Sequence, residues 1–414
     1  MTRVSLVVAL AGAALAVGAV RASADDWLQF GFGSAHNGFN PNETTIGPAN
    51  VAGLHRVWRT PNLFDEQQSQ PIVANGRLFV NTGDNGGPNL NVFNATTGTY
   101  LWSAPSGEFS TGTPAVAGGL VIVPDSLGGG LLAYRASGCG ASFCGAPVWQ
   151  SAEVTGVSAG QSPVVAGGVV YFADGDGRIS AWPAAGCGAT SCHRTWSGSI
   201  GGGNAMATAA VANGKVYVAT ERLRVFNAGG CGASTCAPLW TAPLPTPTPW
   251  TPLVSAGDVY VAAGSKLVAF NAAGCGAATC AKLWTGAVGA QIESSPAARQ
   301  GEVYVGGGDI LTAAGSRLAA FAAGGCGSAT CAPAWIGRVP RPVVGSLALA
   351  NGLIYAPTFD GYLRVFKLGG CGHATCQPRT SVQVGVGGNL NNPIVVNGMV
   401  YAGTADGYLV AFRP

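Results

Sequence analysis

The chain has 414 residues, of which 9% are charged and 65 are glycine, and its formal net charge is +3. So much glycine with so little charge excludes a coiled coil, a long-helix protein and a charged disordered tail. Lysine and arginine form no block, so the electrostatic footprint of a nucleic-acid binder is missing.

In chain order the first feature is a leader. Arg3 precedes an apolar run over residues 4–20, and Ala22-Ser23-Ala24 matches a small-residue cleavage pattern. Residues 1–24 are therefore expected to be a signal peptide. The mature protein would begin near Asp25, be secreted or extracytoplasmic, and lie in a compartment that favours disulfides. No cysteine near the cut suggests a lipid anchor, and no later segment has the apolar length of a membrane span.

Next comes "LHRVWRT", residues 54–60, a strand-like piece carrying Trp58 that stands before any repeat. The rest of the chain, to residue 414, is one unit written eight times. It consists of an apolar stretch, a glycine turn, a second apolar stretch with tyrosine, a polar turn, and a third stretch closing on an aromatic. That aromatic is Phe93, Tyr134, Trp182, Phe226, Phe270, Phe321, Phe366 and Phe412 in turn. Spacing of this order is that of propeller blades. The first turn is Asn-Gly at Asn75, Asn213, Asn351 and Asn397, and Gly-Gly at Gly118 and Gly167. Such pairs suit the two positive-φ positions of a type I′ hairpin. Asp360-Gly361 and Asp406-Gly407 mark the second turn.

A fourth strand carries Trp102, Trp149, Trp196, Trp240, Trp284 and Trp335, with Thr380 at the matching place in the seventh repeat. The eighth repeat shows no fourth strand before Pro414. The strand holding Trp58 can supply it, which would close the ring and remove two unpaired edges. The fold class expected is all-β: one eight-bladed propeller of four-stranded blades over residues 25–414.

Between the third and fourth strands, C-G-x-x-x-C occurs six times and uses all twelve cysteines: Cys139/Cys144, Cys187/Cys192, Cys231/Cys236, Cys275/Cys280, Cys326/Cys331 and Cys371/Cys376. Zinc would need four ligands per site, and the chain has four histidines, His36, His55, His193 and His373, while separate blades hold the cysteine loops apart. "CGATSCH", ending at His193, is a stretched relative of the haem-attachment motif, but its sister loops lack the histidine. Six disulfides, each within its own loop, are expected. They would pin the outer hairpins, at about 2 kcal/mol per ring by chain-entropy arithmetic.

Residues 26–58 resemble the N-terminal signature of quinoprotein dehydrogenases, through Trp27, Gly31, Asn40-Pro41, Ile46, Asn50-Val51, Leu54 and Trp58. "VFNATTGTYLW", residues 92–102, is similar to the tryptophan-docking repeat of that family, in which tryptophan packs between blades. Only the first blade keeps this form, and the other loops carry the cysteine insertion. The resemblance implies an eight-bladed PQQ-like β-propeller. For family enzymes it also implies PQQ held with calcium, a catalytic aspartate and, in one branch, a disulfide between adjacent cysteines. This chain has no adjacent cysteines.

The loops entering the innermost strands should ring the channel, and they are rich in Gln, Ser, Thr, Asn and Gly. Glu293 is the carboxylate nearest an inner strand, with Asp65, Glu66 and Glu108 further back. Trp250 could stack on a planar ligand and Arg341 could meet an anion. Gln161 and Asn389 complete the ligand-binding candidates. No catalytic residue and no metal ligand is assigned, because no nucleophile–base pair, phosphate loop or carboxylate pair is present. Two functions remain. One is a secreted, non-catalytic module that binds an unknown protein or small ligand at its polar channel face, with no cofactor. The other is a PQQ-dependent dehydrogenase oxidising alcohols or sugars, with PQQ and calcium. Partners exclude nucleic acid and any membrane span after leader cleavage, and a monomer is expected.

Overall fold

The structure, a computed structural model, describes residues 26–62, 69–83, 87, 89–107, 111–125, 128–152, 154, 160–201, 208–388 and 391–414. The signal peptide expected over residues 1–24 therefore lies outside the described residues. Eight blades form a ring. Blades 1 to 7 run continuously, with inner strands Ile72–Ala74, Ala115–Ala117, Val164–Ala166, Ala210–Ala212, Leu253–Ser255, Ala297–Arg299 and Ala348–Ala350. Each continues outward as an antiparallel meander. Blade 5, for example, adds Asp258–Ala263, Lys266–Asn271 and Trp284–Ala287. Blade 8 is composite: Asn391–Val396, Met399–Gly403 and Leu409–Arg413 are completed by His55–Arg59, which pairs antiparallel to Leu409–Arg413. The strand carrying Trp58 closes the ring, as its sequence position suggested.

All eight first hairpins turn through two residues with positive φ. Asn75, Asn213, Asn351 and Asn397 take φ of 51°, 50°, 41° and 56°, and the glycine after each follows suit. Two hairpins invisible to the Asn-Gly rule do the same. Ala256-Gly257 has φ of 53° and 89°, and Gln300-Gly301 has 56° and 78°. Packing of the flanking strands has overridden the poor turn chemistry of alanine and glutamine there.

The core is a series of layers between blades. Trp284 of blade 5 lies between Tyr260 of its own blade and Phe321 of blade 6, with centroids 6.1 and 6.2 Å away. Trp196 sits likewise between Tyr171 and Phe226, and Trp335 between Tyr304 and Phe366. This explains both aromatic periodicities: the aromatic ending each third strand is the next blade's half of the contact. Aromatic pairs of this kind add about 0.5–1.5 kcal/mol each beyond area burial.

The six disulfides join the cysteines within each C-G-x-x-x-C loop, with Cα separations of 5.6–5.7 Å. Their placement corrects the expectation of a pin on the parent hairpin. Each loop reaches back to the outer strand of the preceding blade and lies parallel to it, as Thr330–Cys331 does on Trp284–Ala287 and Thr375–Cys376 on Trp335–Arg338. The two cysteines of a pair also differ in environment. The first of each, from Cys139 to Cys371, is exposed. The second is not a surface residue: Cys144, Cys192, Cys236, Cys280, Cys331 and Cys376 are all buried. Each enters the apolar layer that holds the preceding blade's tryptophan. Cys144 joins the layer of Trp102, Cys192 that of Trp149, and Cys236 that of Trp196. The physical reason is that a bonded cysteine is a small apolar group with no charge to solvate, so its sulfur fills the gap beside the ring. The bridge therefore stiffens a connector between blades.

The tryptophan-docking geometry also survives in these loops. The glycine preceding the first cysteine lies flat on the previous blade's tryptophan: Gly274 has φ +96°, and a Cβ there would come within 2.8 Å of the Trp240 ring. In blade 1 the equivalent residue is Gly98, over Trp58 of the closing strand.

Candidate functional site

One end of the channel is filled by the chain itself. Residues 27–40 visit the inner strands of blades 1 to 8 in order. The Trp27 and Val73 amides exchange hydrogen bonds at 2.9 Å, and the Val116 amide donates to the Leu28 carbonyl. The Val165 amide then donates to Gln29 Oε1, and that of Val211 to the Ser34 carbonyl. Amides of Val254, Ala298 and Leu349 donate to the carbonyls of Ala35, Asn37 and Gly38. Asn40 Nδ2 ends the circuit on the Val395 carbonyl, and buried Glu43 takes the Gly398 amide at 2.8 Å. His36 is buried, with both ring nitrogens 2.7 Å from carbonyl oxygens of Phe30 and Ala209. Burial lowers its pKa to about 4, outweighing the two carbonyls, which favour the proton. Sequence reading matched these residues to a signature but missed the plug, because the segment has neither strand nor helix periodicity.

At the other mouth, the residue entering each inner strand is polar and nearly always buried. Among the described residues, this residue is bonded across to the neighbouring blade at five of the eight junctions. The Thr113 amide donates to Ser162 Oγ (2.9 Å), that of Ser162 to Thr208 Oγ1 (3.0 Å), and that of Thr251 to Ser295 Oγ (3.2 Å). The Ser346 amide donates to Asn392 Oδ1, and Gln70 Nε2 to the Pro393 carbonyl across the closure. The polarity that marked these loops as a ligand surface is thus partly a hydrogen-bonded belt between blades. A buried amide without a partner costs about 1–3 kcal/mol, which is why a hydroxyl or amide recurs here.

The five ligand candidates separate. Gln161 is buried beside the belt. Trp250 donates its indole N–H to the Ile292 carbonyl at 3.0 Å and leans on the core between blades 5 and 6. Glu293 is half-buried, and its backbone joins blades 6 and 7 through the Gly345 amide. Burial, with Asp309 nearby, raises its carboxyl above the usual range. Arg341 is exposed, and no ion pair links it to Glu293. Asn389, Asp65, Glu66 and Glu108 lie outside the described residues.

Two further carboxylates on this side, Asp174 and Asp360, are committed to their blades. Asp174 accepts from Ser180 Oγ at 2.6 Å and from the Arg178 amide. Asp360 holds Arg364 through two contacts of 2.7 Å, and Arg364 and Thr358 keep its carboxyl low despite burial. Sequence reading saw Asp360 only as a turn residue. Among the described residues no three of His, Cys, Asp and Glu gather where they could hold a metal ion. No described helix is long and apolar enough to cross a membrane.

A family model described as outer membrane protein assembly factor BamB matches residues 55–185, from the closing strand through the third strand of blade 3. The fold of this chain is that of a PQQ-like β-propeller. Among solved structures, the propeller is similar to BamB from Moraxella catarrhalis at 17% identity and TM-score 0.58, over 87% of this chain and 98% of that one. It is similar to quinohemoprotein alcohol dehydrogenase from Comamonas testosteroni at 14% identity and TM-score 0.67, over 94% and 80%. A computationally designed protein, Ika8, matches at 11% identity and TM-score 0.64, over 86% and 99%. At such identities the likeness is one of fold. No curated protein matches the sequence.

Proposed function

We propose that this propeller is an extracytoplasmic, non-catalytic module that binds a partner protein or small ligand, in the manner of an assembly scaffold. The observation that carries the reading is the belt at the open mouth: its hydroxyls and amides hold blades to one another. A quinone cofactor with three carboxylates and calcium needs paired cations and several oxygen ligands, carboxylates among them. The described residues offer half-buried Glu293 and exposed Arg341 in separate blades, and they do not fit that cofactor. Six disulfides and the leader-like residues 1–24 support an oxidising compartment, and the family description of residues 55–185 supports an assembly role.

The test is reconstitution of purified protein with PQQ and calcium, followed by dye-linked oxidation of a panel of alcohols and sugars. The reading expects no turnover above a protein-free control. Turnover that depends on both additives would replace it with a quinoprotein dehydrogenase.

A further inference from the structure

Among the described residues, the outer rim has one edge that no loop or bulge protects. On blades 1 to 6 the outermost strand is extended by a cysteine loop from the next blade, which hydrogen-bonds to its outward groups. Thr241 shows the pattern: its amide donates to the Ala278 carbonyl at 2.9 Å, and its carbonyl accepts from the Cys280 amide at 2.8 Å. Blade 8 is protected differently, since its closing strand shifts register between Arg56 and Trp58 and Gly98 covers Trp58. Blade 7 has neither device. Its outer strand, Thr380–Gln383, pairs inward with Tyr362–Lys367, and among the described residues nothing pairs with its outer side. The reason lies in the closure. Blade 8 takes its fourth strand from residues 55–59, so no connector between its third and fourth strands passes over blade 7.

Beside this edge lies a cleft of about 280 Å³. Gln383, Val384 and Val386 continue the bare strand into it, and Arg56 and Arg59 of the closing strand form its far wall. Val386 is 56% exposed. Arg59 stacks its guanidinium 4.1 Å from the Tyr408 ring centre, and neither arginine is in an ion pair among the described residues. Asp406 is the one carboxylate in the lining, against two arginines.

We propose that blade 7's outer edge docks an extended segment of another protein, running parallel to Thr380–Gln383 and acidic just beyond the paired residues. The propeller itself shows the mode. In blade 6 the added residues oppose Ile336 and Gly337, and the matching positions in blade 7 are Ser381 and Val382. Parallel addition there carries the guest toward the cleft. At about 3.3 Å per residue its next few side chains pass Arg56 and Arg59. Backbone pairing would supply affinity and the arginines selectivity, as in other strand-addition complexes. This holds whether or not the channel mouth takes a ligand.

The test uses the full chain and a peptide copied from its own rim. The oxidised peptide Gly-Cys-Gly-Ser-Ala-Thr-Cys, the sequence of residues 325–331, is extended with glutamates in one version and lysines in another. Titration followed by fluorescence anisotropy should show the acidic version saturating below about 1 mM. The basic version should bind at least about tenfold more weakly, and the difference should shrink with added salt. Arg56→Glu with Arg59→Glu should reverse the preference. Ser381→Pro removes the outward N–H at an edge where proline is tolerated, and should abolish binding. Should that variant misfold, an acidic peptide methylated on the amides of its paired residues should fail to bind the native chain. Absence of saturation, indifference to charge reversal, or undiminished binding of the methylated peptide would overturn the proposal. So would a dimer by light scattering that Ser381→Pro dissociates, because the edge would then serve a second copy of this chain.

Discussion

At Ala256 and Gln300 the backbone occupies a left-handed conformation that six sister hairpins assign to asparagine or glycine. Side chains with a Cβ pay about 1–2 kcal/mol there, and asparagine less. Ala256→Asn should therefore raise unfolding stability by roughly 0.5–1 kcal/mol, read from the denaturation midpoint at unchanged slope. A lower midpoint would show that the alanine makes a contact worth more than its strain. His36 gives a pH signature. Its folded pKa of about 4 lies below its ordinary 6.5, so between those values the unfolded chain holds a proton that the folded chain refuses. Stability contributed by this residue is intact above 6.5 and is lost as pH falls through the window, by up to about 1.4 kcal/mol per unit. His36→Asn, which tolerates the φ of 54°, should flatten stability against pH there. Taking the difference between the two proteins removes the opposite slope of carboxylates such as Glu293, whose pKa is raised. Equal slopes would mean that the ring is solvated. Turn types were legible in the sequence wherever Asn-Gly or Gly-Gly stood. Those at Ala256 and Gln300 were not, because there the flanking strands impose the turn.

The cysteine loop is the element that sequence reading understood by half. Pairing within each loop followed from spacing and count. Docking on the preceding blade, and with it the burial of Cys144, Cys192, Cys236 and their three counterparts, did not. That contact lies between residues about forty apart, with no charge or hydrophobic pattern to link them. The glycine ahead of the first cysteine separates two effects. At Gly274 an added methyl meets both an unfavourable φ and the Trp240 ring at 2.8 Å, whereas at Gly276, φ +77°, it meets open space. Gly276→Ala should cost about 1 kcal/mol, the strain alone. Gly274→Ala should cost at least about 2 kcal/mol more through overpacking of the tryptophan. The comparison is made by chemical denaturation with the disulfides intact. Equal losses would show that the loops rest on the tryptophans loosely and do not join blades.

As a whole, the molecule is a ring held shut by one sequence-distant strand and stoppered by the segment before it. Periodicity made the blade count and the closing strand legible, because eight aromatics and an orphan tryptophan strand had to balance. Deleting residues 54–60 should leave Leu409–Arg413 unpaired and drive aggregation, visible in light scattering below the native melting temperature. A soluble variant with an undiminished transition would contradict closure by that strand. The functional surface was less legible. Composition showed polar entry loops, but not that Thr113, Ser162, Thr251 and Ser346 spend their amides on neighbouring blades. What that belt leaves for a ligand is the central question, and one titration addresses it directly. PQQ is added at micromolar concentration to the purified propeller in millimolar calcium, and cofactor absorbance or intrinsic fluorescence is followed. No saturable signal is expected, since calcium would lean mainly on neutral oxygens and the cofactor's carboxylates would find no paired cations. Saturation at micromolar PQQ that disappears in Glu293→Gln would contradict it and make Glu293 a metal ligand.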